Sequence, residues 1–232
     1  MALFWSLVFV DPLIILSTLF FGSISLVVSG GNMIKTARMW ARSLLAIAGV
    51  RVNIEGLEKL TPGASYVFAS NHLSYMDTPV ILANIPADFR FMAKSGLFKI
   101  PLLGTHLAQA GHIPVPREDP RAAVKTMALA ADTIRTHNIS LLIFPEGGRS
   151  HDGILQPFKD GGAYIAIKAG VPLVPVSISG THEILAMHSS TFHRGTVTVR
   201  IGDPIPTAGL TLKDRKSITD LAREQVVAGL HR

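Results

Sequence analysis

Tyr66-Val67-Phe68-Ala69-Ser70-Asn71-His72-Leu73-Ser74-Tyr75-Met76-Asp77-Thr78-Pro79 passes from an apolar run through a polar segment to a helix start. Residues 66–70 read as a strand, and Thr78-Pro79 opens a helix over 78–84, since a proline in the first turn forfeits no hydrogen bond. The alternation continues along the chain. Further strands are predicted at 52–54, 89–93, 112–115, 141–144, 173–177 and 197–201, and further helices at 120–135, 161–168 and 212–230. Strands alternating with helices argue for an α/β fold, a mostly parallel central sheet flanked by helices. Residues 141–144 are short, apolar and unbroken, as a strand buried on both faces should be.

Working outward, the 232 residues allow one full domain over 51–232 preceded by an N-terminal segment, 1–50. The composition is 48% hydrophobic and only 16% charged, which points to lipid contact. Lys and Arg number 22 against 16 Asp and Glu, a net charge of +6 that suits nucleic acid, anionic lipid headgroups and phosphorylated substrates equally. The chain has no cysteine, so disulfides, thiolate metal sites and a cysteine nucleophile are excluded.

Residues 2–28 are almost wholly apolar, interrupted by Asp11-Pro12, and the stretch 13–28 is short for a perpendicular span of ~20 residues. A span, a re-entrant helix and an embedded anchor all fit it. A cleaved signal peptide fits less well, because no Lys or Arg precedes the apolar run. A second helical pattern sets Lys35, Arg38 and Arg42 opposite Met33, Ala37, Trp40, Leu44 and Ile47. The expectation is a two-helix membrane-associated segment whose basic stripe meets anionic headgroups and whose Trp40 anchors at headgroup depth. An amphipathic helix packed on the domain with a solvated basic face has the same pattern.

His72 and Asp77 lie in the strand-to-helix loop, where α/β folds place active sites. A carboxylate accepting from one ring nitrogen fixes the tautomer and leaves the other nitrogen to take a proton from an attacking hydroxyl. The same two residues also fit a structural hydrogen bond or a helix cap. A second segment, Phe144-Pro145-Glu146-Gly147-Gly148-Arg149-Ser150, leaves another predicted strand and should reach the same sheet edge. Its glycines let backbone N–H groups approach an oxyanion, and Arg149 offers a planar fork suited to phosphate. The remaining histidines show no His-Glu-x-x-His or similar ligand spacing, so no metal is expected.

Asn71-His72 with Asp77, the Phe144 to Ser150 segment, Gly111-His112-Ile113-Pro114-Val115-Pro116-Arg117 and Val171-Pro172-Leu173-Val174-Pro175-Val176 stand in an order that resembles the glycerolipid acyltransferase family of the lysophosphatidic acid acyltransferase type. The resemblance covers roughly 52–181. It implies that His72 is the base deprotonating an acceptor hydroxyl and Asp77 its orienter. It also implies that Arg117, Glu146, Gly147, Gly148, Arg149 and, less directly, Lys94 hold the glycerol phosphate. Gly148 departs from the family, which commonly has threonine there, and this leaves the acceptor less defined than the reaction.

The implied reaction moves an acyl chain from an acyl thioester, acyl-CoA or acyl carrier protein, to the sn-2 hydroxyl of 1-acylglycerol 3-phosphate, with no other cofactor, at an anionic membrane surface. Direct attack needs no covalent enzyme intermediate, and the chain has no Gly-x-Ser-x-Gly elbow. Ser74, so close in sequence to His72, is poorly placed to be a nucleophile. The competing expectations are acylation of another lysolipid such as a lyso-aminolipid, and a non-catalytic lipid-binding membrane protein. Nucleic-acid binding lacks the aromatic and basic interleaving it requires.

Overall fold

A computed structural model describes residues 2–28, 32–116 and 118–230. The strands are β1 (Val50–Glu55), β2 (Val67–Ser70), β3 (Phe89–Lys94), β4 (Ile113–Val115), β5 (Ser140–Ile143), β6 (Leu173–Ser179) and β7 (Gly195–Ile201). The helices are α1 (Ala2–Trp5), α2 (Asp11–Ser25), α3 (Asn32–Ile47), α4 (Asp77–Asn84), α5 (Leu103–Gln109), α6 (Pro120–His137), α7 (Gly161–Ala169), α8 (Thr181–Ile184) and α9 (Arg215–Leu230). All seven predicted strands and the predicted helices form within a few residues of their expected ends. The short α5 and α8 have too little periodicity to be read from sequence.

One sheet runs in the order β1-β7-β6-β2-β5-β3-β4. The pairs β2–β6, β2–β5, β3–β5, β3–β4 and β1–β7 are parallel, and only β6–β7 is antiparallel. The sheet is therefore mostly parallel, with β1 and β7 reversed against the other five. Its residues alternate between two cores. Phe68 and Leu142 join one with Val80, Ile81 and Ala41 of the flanking helices, while Val67, Leu141 and Ile143 join the other with Ala130, Ala163 and Ala222. From the adjacent strands β2 and β5 the chain leaves to opposite faces, through α4 and α7 respectively, and the crevice so opened at their C-terminal ends is where α/β folds bind ligands.

Asn71 extends the β2–β6 ladder by side chain. Its Nδ2 donates to the Ile178 carbonyl at 2.9 Å and its Oδ1 accepts from the Ile178 N–H at 2.8 Å, all buried. This frees the main chain of residue 71 to turn away from the sheet toward His72. The closing helix α9 packs on the domain, with Ile218, Ala222 and Val226 buried against β6 and the second core.

The N-terminal segment differs from expectation in two ways. Helical structure runs from Leu3 to Ile24, 22 residues with a mean hydropathy of 2.1, and continues through the interruption at Asp11-Pro12. A π-helical turn over Ser6–Val10, in which the Asp11 N–H reaches the Ser6 carbonyl, leads into Pro12 at the first turn of α2, where its missing N–H is tolerated. The stretch is long and apolar enough to cross a membrane, about 33 Å at 1.5 Å per residue. Second, α3 is packed on the domain. Ala37, Ala41 and Leu45 belong to the same core as Phe68, and Arg38, expected among headgroups, donates instead to the Ile85 and Ala87 carbonyls at 2.9 and 2.7 Å. Trp40 donates to Thr18 of α2 at 3.1 Å, and Ser17 meets Ser43 at 2.6 Å, so α2 lies along α3. Lys35 and Arg42 remain exposed.

Replacing Asn71 by Ala leaves the Ile178 N–H and carbonyl buried without partners. The expected loss is about 3 kcal/mol, read as a lower urea midpoint with unchanged m-value.

Candidate active site

Asp77 is the first residue of α4 and has no solvent exposure. A carboxylate so placed needs donors, and it has four. Its Oδ2 accepts from His72 Nδ1 at 2.8 Å, the Leu73 N–H at 2.7 Å and the Ser74 N–H at 2.9 Å, and its Oδ1 accepts from Thr181 Oγ1 at 2.6 Å. The helix N-terminus adds further favourable potential for the negative charge. With Nδ1–H given to Asp77, Nε2 carries the acceptor lone pair of the imidazole. The imidazole is buried and stacks on Phe144, ring centroids 3.8 Å apart and planes within 13°. Ser74 Oγ donates to the Leu185 carbonyl and accepts from the Met76 N–H, a structural role that removes it as a nucleophile.

The second predicted loop lies on the same edge. Val67 pairs with Leu141 and Ala69 with Ile143, so the exits of β2 and β5 run side by side. Glu146 stitches them together: Oε1 accepts from the His72 N–H at 2.5 Å and Oε2 from the Gln156 N–H at 2.8 Å. The Ser150 N–H returns a bond to the His72 carbonyl at 2.9 Å. Both Glu146 oxygens are thus engaged by backbone, and its carboxylate positions the loops. Burial pushes its pKa up from 4.5 to about 7, against the opposing pull of those two N–H donors.

Gly147 turns at φ 79°, a backbone conformation that favours glycine. Gly148 has no neighbour within 4 Å of a would-be Cβ, so nothing in the fold demands its lack of a side chain. The Arg149 guanidinium lies 4.4 Å from the centre of the Tyr75 ring, a cation–π contact between the two loops. Lys94 ends β3 on the same edge, exposed, with Glu118 3.9 Å away. β4, the strand leading to Arg117, also ends here, since Lys94 pairs with Val115; Arg117 itself lies outside the described residues.

Beside these loops a cleft of about 580 Å³ is lined chiefly by apolar groups, among them Met92, Met127, Ile143, Phe144 and Tyr164, together with Lys159 and Arg215. His112 serves the fold: it is buried, its Nδ1 accepts from the Phe91 N–H at 3.0 Å, and burial holds its pKa down near 3. No cluster of three or more His, Asp or Glu side chains suited to a metal occurs among the described residues.

Sequence reading missed Thr181, which lies 104 positions from Asp77 and follows the left-handed Gly180. No local pattern marks such a partner. Tyr75 stood inside the opening segment, but its partnership with Arg149 requires knowing that the loops meet.

A buried histidine–aspartate pair beside a cationic loop and an apolar cleft is an arrangement suited to base-assisted attack of one bound substrate on another. A family model described as Acyltransferase matches residues 51–179. The human 1-acyl-sn-glycerol-3-phosphate acyltransferase alpha is 31% identical over 202 residues, 86% of this chain and 71% of that protein. The chloroplastic 1-acyl-sn-glycerol-3-phosphate acyltransferase BAT2 of Brassica napus is 36% identical over 171 residues, 73% of this chain, which spans only 49% of that relative. The crystal structure of the 1-acyl-sn-glycerophosphate (LPA) acyltransferase PlsC from Thermotoga maritima superposes with a TM-score of 0.76 at 25% identity, covering 98% of this chain and 94% of that one. The chain belongs to the acyltransferase family.

The raised pKa of Glu146 makes a prediction about stability. Because the folded value exceeds the unfolded one, its contribution is fully present below about pH 4.5 and is lost as pH rises through about 7. Wild-type melting temperature should carry a decline over that window, at most about 3 kcal/mol in stability, that the Glu146→Gln protein lacks. Thermal melts of both proteins from pH 4 to 8 measure the difference.

Proposed function

We propose that this protein transfers an acyl chain from an acyl thioester to the sn-2 hydroxyl of 1-acylglycerol 3-phosphate, forming phosphatidic acid. The observation that carries the reading is the 2.8 Å contact of His72 Nδ1 with the fully buried Asp77, on the edge where the Arg149 loop is tied to His72. His72 Nε2 takes the hydroxyl proton as the acceptor oxygen attacks the thioester carbonyl carbon. Asp77 stabilises the imidazolium, and its four donors let it do so without leaving its place. The tetrahedral intermediate collapses, the carbon–sulfur bond breaks, and the imidazolium returns its proton to the departing thiolate. Backbone N–H groups of the glycine-bearing loop are suited to the oxyanion.

Arg149, Lys94 and Arg117 supply positive charge for the acceptor phosphate, and the apolar cleft offers room for an alkyl chain. The likeness to proteins named for the same acylation supports this acceptor. The donor is either acyl-CoA or acyl carrier protein, since both present the same thioester. The exposed apolar faces of Leu16, Leu19 and Phe20, on a helix laid along α3 and the domain, support an anchor lying in a membrane interface, and the side proposed is the cytoplasmic one. A second reading, acylation of a different lysolipid, draws on the open space at Gly148, which leaves the phosphate end of the site wider than a threonine would.

His72→Ala should still fold, with a lowered melting temperature, and should lower kcat by ~10²- to 10⁴-fold with lysophosphatidate; near wild-type turnover would defeat the mechanism. Gly148→Thr should fold normally and narrow acceptor use, raising the preference for lysophosphatidate over phosphate-free lysolipids in a competition assay resolved by product mass.

A further inference from the structure

Beyond β3 the chain makes a 3-10 turn, Ser95–Lys99, and then runs Ile100-Pro101-Leu102 into α5. This turn faces outward with apolar groups. Ile100 is 46% exposed, Leu102 37% and Leu103 41%, and Pro101 between them is exposed as well. A single exposed leucine is ordinary, but a contiguous apolar set on one turn marks a contact surface.

The turn is held in this posture. The Leu103 N–H donates to the Pro101 carbonyl at 2.8 Å, Gly104 N–H to Ile100 at 2.7 Å and His106 N–H to Leu102 at 2.9 Å. Gly104 sits so close to the Phe98 backbone that a Cβ would lie 2.1 Å from its carbonyl oxygen. Leu102 itself is fixed at φ 64° and ψ −56°, a conformation a leucine seldom adopts. The backbone is thus constrained to present apolar side chains to the outside rather than fold them inward.

Two neighbours say what covers them. α5, which Leu103 opens, lies against α2, whose Leu16 and Phe20 are exposed, so the patch borders the apolar helix. Lys99, at the base of the turn, is exposed and makes no ion pair among the described residues. Its aliphatic stem with an ammonium tip suits headgroup depth.

We propose that residues 100–103 form a second membrane-inserting element, dipping into the bilayer beside α2 with Lys99 among anionic headgroups. This rests on the reading of α2 as an interfacial anchor. Two inserted elements fix the rotation of the domain about the anchor, which one helix cannot do. They turn the edge bearing Lys94, five residues before Lys99, toward the headgroup layer, so that a lysolipid reaches the site with its phosphate at the depth of these lysines.

The absence of cysteine in the natural chain allows a direct test on the full-length protein. Single variants Ile100→Cys, Leu103→Cys, Leu16→Cys and Lys213→Cys are labelled with an NBD fluorophore and mixed with phosphatidylcholine–phosphatidylglycerol vesicles. Blue-shifted emission and quenching by acyl-chain doxyl lipids are expected at 100, 103 and 16, with an aqueous spectrum at 213. A response at 16 with aqueous spectra at 100 and 103 overturns the proposal and leaves the anchor standing. Silence at all four positions overturns both. Protection of 100 and 103 by a soluble acyl carrier protein but not by vesicles assigns the patch to protein docking and also overturns it. The Ile100→Ser/Leu103→Ser double variant, with an unaltered melting curve, should partition onto the same vesicles about tenfold more weakly; wild-type partition would count against the proposal.

Discussion

A carboxylate shut away from water must be met by donors, and the way Asp77 is met organises this protein. Removing an ionised group from solvent is tolerated only when hydrogen bonds replace its hydration. Here the donors are the two N–H groups of a tight loop, the imidazole of His72 and the hydroxyl of Thr181 from the far side of β6. Satisfying the charge therefore fixes the loop after β2, the start of α4 and the exit of β6 in one arrangement. The same satisfaction aims the imidazole and sets its tautomer before anything binds.

Glu146 does for the neighbouring loop what Asp77 does for the first. Its two oxygens collect one N–H from each strand exit, and the raised pKa is the sign that burial of this charge is less completely compensated than that of a fully solvated carboxylate. The cationic side chains can then be presented by short, well-braced backbone. Arg149 is steadied by stacking on Tyr75, so an aromatic residue between His72 and Asp77 in sequence ends up orienting the cation of the neighbouring loop.

The layer outside the sheet follows from the same economy of burial. α3 offers one apolar face to the core and leaves a second strip to α2, which has almost nothing else apolar to touch. A helix of that composition against a domain surface needs lipid to cover its outer side, and this brings an otherwise ordinary α/β domain to a membrane. The reading of Arg38 as a headgroup contact failed because helical periodicity says which residues share a face and not what that face meets. The guanidinium found two carbonyls, of Ile85 and Ala87, in the loop that follows α4.

Short-range regularities were readable from the sequence itself. The alternation of apolar strands with helical periods, the polar loops following β2 and β5, and the residue types in those loops were legible because each depends on neighbours within a few positions, where propensity and turn chemistry act. The join between the two loops through Glu146 and His72, the hydroxyl of Thr181 on Asp77, the ladder built by the Asn71 side chain and the packing of α2 along α3 were decided only in three dimensions. Each depends on partners tens to more than a hundred residues apart, and their meeting is set by strand order and by the need to satisfy buried charge, which no local pattern records.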